Sequence, residues 1–170
     1  MLKARRMWTA RRILKELADA DRRRAILTAF WKYGDNHAKL MAQMQLAKAL
    51  HFRDETIRKM PAEKKADLLA SRMASHEFDQ FLEMALMAYH TREQSAMMAA
   101  FLDRWNIPHE NGSIEAEDYT PPTTGQVREG VQELGFDKRD VALYLATAGL
   151  LMADAWRDAT WPVVDELVRG

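Results

Sequence analysis

The chain contains no cysteine. That absence excludes disulfides, zinc thiolate sites, cysteine-held iron–sulfur clusters and thiol nucleophiles, and it fits a reducing, cytoplasmic setting. Glycine and proline are sparse, at seven and five of 170 residues, too few for the many turns of an all-β chain. The glycines at 112, 125, 130 and 135 never take G-x-G-x-x-G or Walker spacing, so no glycine-rich phosphate loop is present. A G-x-S-x-G elbow is missing as well. Long apolar runs are also absent. The longest uncharged run in a helix-forming stretch, 141–153, spans 13 residues, short of the ~20 that a spanning helix needs. No transmembrane segment is expected. No apolar stretch follows the basic residues of the N-terminus, so no signal peptide is expected either.

What remains is a helix-forming composition. Hydrophobic residues make up 48% and charged residues 29%, which suits a globular chain and argues against disorder. A chain of this length can bury roughly 70% of its unfolded surface. We expect one all-α domain over residues 1–170, a compact bundle of about eight helices with one long irregular loop at 106–123.

The apolar spacing locates the helices. Met7, Ala10, Leu14 and Leu17 share one stripe of a helix over 2–18. Asp21 suits the N-cap of a second helix through Trp31, which Gly34-Asp35-Asn36 ends. A third is expected to turn Leu40, Met44, Ala47 and Leu50 inward. Asp54 can cap a short turn, and Pro61 opens a helix with Leu68, Leu69 and Met73 on its apolar side. Ser75 reads as the cap of a long helix reaching Trp105, with polar residues at 91–95 marking a kink site. Thr123 or Thr124 caps the next helix, Gly135 ends it, and Asp137 caps one running from Lys138 to about Arg157. There Ala146, Ala148 and Gly149 permit close approach of another backbone. Thr160 is expected to cap a last short helix at Trp161-Pro162.

Net charge is zero but unevenly spread. The first 24 residues hold nine Lys or Arg against three acids, and residues 110–170 hold five against twelve. Either the two ends pack near each other or the N-terminus meets an acidic partner.

Three groups of residues are candidates for function. His76, Asp79, Glu83 and His90 lie on one face of the long helix, because a seven-residue interval drifts only about 20°. Such a stripe lines a ligand pocket or faces solvent. It does not form one metal site by itself, since seven residues separate side chains by about 10.5 Å along the axis. No histidine has Glu three residues before it, and none has a second His four residues on, so di-iron and zincin patterns fail. No metal or other cofactor is expected. Trp156, Arg157 and Trp161 are candidates for an interface, where Trp and Arg concentrate. Arg5, Arg6, Arg11 and Arg12 form a basic patch able to meet phosphate or an anionic surface, although the neutral net charge argues against nucleic acid.

With no recognisable catalytic constellation, a non-enzymatic role is favoured: contact with a protein partner or with a second copy, as a homodimer. The alternatives are a ligand- or metal-binding pocket or enzyme site along 76–105, covered by the 106–123 loop, and binding of nucleic acid or an anionic surface through the basic N-terminus.

Overall fold

Caps and chain breaks divide this helix-forming sequence, and the computed structural model describes residues 7–170. Arg5, Arg6 and the start of the helix expected over 2–18 lie outside the described residues. Among the described residues the chain is all-α, with ten helices and no strand. They are α1 (Ala10–Arg12), α2 (Ala20–Tyr33), α3 (Asn36–Leu50), α4 (Asp54–Arg58), α5 (Ala62–Ala70), α6 (Asp79–Glu93), α7 (Ser95–Arg104), α8 (Thr124–Leu134), α9 (Lys138–Leu151) and α10 (Asp154–Arg169). A π-helical turn, Ile13–Leu17, continues α1, and a 3₁₀ turn, His76–Phe78, leads into α6.

Local hydrogen bonds set most boundaries. Thr9 accepts from the Arg12 amide and starts α1 there, which leaves Met7 exposed outside the expected stripe. Asp19, not Asp21, caps α2 by accepting from the Arg22 amide. Asp54 lies in the first turn of α4 and does not cap it. Ser75 stands at an N-cap position without a capping bond. A full capping box, Thr123 with Gln126, opens α8, and Asp137 caps α9. The expected long helix is two helices, broken at Gln94, whose φ of −121° and ψ of 20° leave the helical region.

The C-terminal boundary differs more. The helix at 138 ends at Leu151, and α10 runs straight through Pro162. Proline inside a helix removes the donor to the carbonyl four residues back, here Asp158. The Thr124 hydroxyl of α8 supplies one at 3.3 Å, so the proline is accommodated by a neighbouring helix. Thr160, expected as a cap, is fully buried and donates to the Trp156 carbonyl.

Packing assembles two helix pairs around α9. Helix α2 lies against α5 and α6, while α10 packs on α8 and most closely on α9, which also meets α6 and the π turn. Every residue from 141 to 149 is buried, matching the one stretch apolar on all sides. A Cβ on Gly149 would stand 2.2 Å from Trp161 Nε1, so the small residue is what lets α10 approach. Helix α3 matches expectation only in part: Ala47 is buried and Leu50 packs against the core, but Leu40 and Met44 do not turn inward. Ala38, Ala42, Leu46 and Ala47 face the core, and Leu40 and Met44 are exposed.

Candidate functional site

The expected polar stripe is split by the fold. At its start, His76 is exposed, and its Nδ1 lies 3.0 Å from Arg11 Nη2 and 3.1 Å from Asp79 Oδ2. An unprotonated Nδ1 accepts from Arg11, and a protonated one donates to Asp79, but one nitrogen cannot do both at once. Glu83 is partly covered, and burial, then the Asp79 charge, raise its carboxyl above the usual range. His90 sits at the other end of α6, only 3% exposed. Eleven residues of helix separate it from Asp79 by roughly 16 Å, so the four do not form one site.

The interface candidates lie inside the chain's own core. Trp156 and Trp161 are each 1% exposed. The Trp156 indole donates to the Tyr119 hydroxyl at 2.9 Å, and that of Trp161 donates to the Ala146 carbonyl at 3.1 Å. Arg157 stacks over the Trp161 ring and donates to the Gly149 carbonyl. In the basic region, Arg11 bridges to Asp79, whereas Arg12 pairs with Glu16 and covers the Trp8 ring. Both cations therefore already have partners within the chain.

A different constellation gathers around His90. A cavity of about 320 Å³ opens between α6, α7, α9 and the start of α10. Its fourteen wall residues include Met87, His90 and Thr91 of α6, Met98 and Leu102 of α7, Tyr144, Thr147 and Ala148 of α9, and Trp156. None of the fourteen is Asp, Glu, Lys or Arg. Two wider depressions differ in chemistry, being lined by charged groups such as Glu16, Asp19 and Arg139, or Lys48 and Glu77.

Hydrogen bonding fixes the state of His90. Its Nδ1 is 2.9 Å from the Leu86 carbonyl, and a carbonyl only accepts, so Nδ1 carries the proton. The distal Nε2 then holds a lone pair, is sealed from solvent, and has no hydrogen-bond partner among the described residues. Burial pushes the imidazole down to about 4, against the opposing effects of the Leu86 carbonyl and Asp140, so the ring is neutral at pH 7. Tyr89 and Tyr144 pack around it, with ring centroids at 5.2 and 6.1 Å. The Tyr144 hydroxyl makes no hydrogen bond among the described residues, and burial raises it well above the usual phenol range. The Thr91 and Thr147 hydroxyls donate to the Met87 and Leu143 carbonyls of their own helices.

The loop at 106–123 closes one side. Asn111 and Gly112 have φ of 50° and 89°, the two left-handed residues of a type I′ turn. Glu110 and Ser113 exchange backbone hydrogen bonds across it, at 2.8 and 2.9 Å. His109 fastens the turn from inside: Nδ1 accepts from the Gly112 amide at 3.0 Å, and Nε2 donates to Asp103 at 2.6 Å. Gly112 lies against α7, where a Cβ would stand 2.9 Å from the Ser95 carbonyl oxygen. Gly112, Ser113 and Ile114 thereby become cavity wall. Ile107, Ile114 and Tyr119 hold the loop to the core, as their apolar character predicts.

Among the described residues, no cluster of three or more His, Asp or Glu is placed to hold a metal ion, and no helix is long and apolar enough to cross a membrane. The stripe identified His90 but none of the residues facing it. Tyr144 and Thr147 lie in the uncharged run read as core, and Trp156 was expected at an interface, so nothing in the sequence places the three at one cavity. Compared with protein-family models, curated proteins and solved structures, the chain matches none.

Proposed function

We propose that this protein binds a small, neutral, mostly apolar molecule in the cavity beside His90. One observation carries the reading: a cavity of about 320 Å³, whose wall holds no charged side chain, opens beside a buried, neutral imidazole. Size agrees, since 320 Å³ is at the lower end for ligand pockets and holds roughly a dozen non-hydrogen atoms. A charged ligand would meet no opposite charge and would lose its hydration.

The test is thermal stability with neutral aromatic probes. Naphthalene near saturation should raise Tm, because a ligand that binds only the folded state stabilises it by mass action. Ala148→Leu, which fills the cavity from α9, should abolish the rise while the variant stays folded. A wild-type chain whose Tm is unmoved by any neutral aromatic probe would sink the reading.

A second reading, association of two copies, is favoured by the exposed apolar face of α3, where Leu40, Met41 and Met44 are 49%, 39% and 51% exposed.

A further inference from the structure

Resting on the pocket reading above, we infer that Met87 is an oxidation-sensitive switch at the cavity mouth, whose conversion to the sulfoxide lowers affinity for the apolar ligand. Of the fourteen wall residues, Met87 alone is exposed, at 55%, and the others are buried or half-buried. A side chain that both lines the cavity and meets water stands at its entrance. Met98 and Met152 supply two further thioethers to the wall, but both are half-buried. The chain has no cysteine, so no thiol competes for a peroxide, and oxidation of the thioethers follows their exposure. Met7, Met41, Met44 and Met84 are exposed as well, yet none of them lines the cavity.

Hydrogen peroxide alone balances the reaction. The sulfur lone pair attacks one peroxide oxygen, an S–O bond forms and the O–O bond breaks. The proton of the transferred oxygen passes to the departing hydroxide, which leaves as water. Sulfur is oxidised by two electrons and the peroxide is reduced by two. A flexible apolar group thereby becomes a polar one. Its oxygen holds water that burial against a hydrocarbon would strip away. Turned outward, the sulfoxide takes the thioether out of the wall; turned inward, it sets an unsatisfied dipole against the ligand. Either position weakens binding, and methionine sulfoxide reductases restore the thioether.

Equilibrium dialysis of the full chain against naphthalene, before and after a graded dose of hydrogen peroxide, tests this directly. Peptide mass spectrometry of the same samples follows each methionine. Met87 should gain its oxygen before Met98 and Met152 do, and naphthalene affinity should fall roughly threefold or more in step with it. Treatment with methionine sulfoxide reductases should return the affinity. Met87→Leu, a swap of similar volume, should bind naphthalene within about twofold of wild type and keep that affinity after the same dose. Met84→Leu, one turn earlier on α6 and outside the cavity wall, should lose affinity as wild type does. Full oxidation of Met87 with unchanged affinity, or a Met87→Leu chain that loses affinity like wild type, overturns the switch and leaves the pocket standing. No naphthalene binding before any peroxide is added overturns the pocket and the switch together.

Discussion

His90 titrates out of step with the unfolded chain, and that has a measurable consequence. Exposed imidazoles take up a proton near pH 6.5, whereas burial holds this one back to about 4. Between those values the unfolded state binds a proton here that the folded state does not, so stability falls as pH drops through this window. Above pH 6.5 neither state is protonated, and His90 contributes no slope. The full effect at pH 4 is about 3 kcal/mol, an order-of-magnitude figure from ~1.4 kcal/mol per pH unit. Carboxylates add their own acid sensitivity, so the residue is isolated by difference. Urea midpoints of wild type and His90→Phe, followed from pH 7 to 4, should converge as pH falls if Phe is less stable at pH 7. In any case the variant should lose less stability on acidification. Parallel pH profiles would show that the imidazole is not held neutral.

At the scale of elements, α3 is where local pattern and tertiary structure part. Apolar residues occur on more than one side of this helix, so periodicity alone cannot choose the inner one. The fold buries Ala38, Ala42, Leu46 and Ala47 and leaves Leu40, Met41 and Met44 outside. Such a patch is uncharged, and two copies can therefore meet face to face across a two-fold axis without repulsion. If it mediates association, light scattering should give a mass of about twice 19.6 kDa, and Leu40→Lys with Met44→Lys should return the monomer without lowering the urea midpoint. A wild-type monomer at high concentration would rule the dimer out. Some boundaries governed by a nearby side chain were legible before the fold was known, although the Thr9 and Asp19 caps were not. A cap at Thr123 or Thr124, the Asp137 cap and a helix end at Gly135 were read from the sequence, and the structure has Thr123, Asp137 and Gly135 in those places. Those governed by distant neighbours were not. Pro162 looks like a helix start until Thr124 is found beside the Asp158 carbonyl. The cavity follows the same division. His90 stood out as a polar residue in an apolar helix, while Tyr144, Gly112 and Trp156 join it only through the packing of α9, α10 and the loop.

Over the whole molecule, the split of charge along the chain becomes a contact between its two ends. Arg22 of α2 donates to Asp140 at 2.7 Å and lies 3.6 Å from Asp137, both at the start of α9, and Arg139 stands 3.8 Å from Asp19. The hydrogen bond to Asp140 outweighs burial and holds the Arg22 guanidinium above its ordinary range. Its role is to join the N-terminal helices to the central one, where residues far apart in sequence must come together late and at entropic cost. Because Arg22 and Asp140 side chains are 26% and 23% exposed, the pair is neither fully solvated nor sealed. Its coupling should be about 1 kcal/mol, above an isolated surface pair and well below a buried one. A double-mutant cycle with Arg22→Met and Asp140→Asn, read by urea unfolding, separates that coupling from the favourable position of Asp140 in the first turn of α9. Raising salt should shrink the coupling only partly, because the pair is shielded by the helices on either side. Strict additivity of the two substitutions at low salt would mean that the two ends are held by apolar packing alone, with the charge asymmetry free to serve a partner instead.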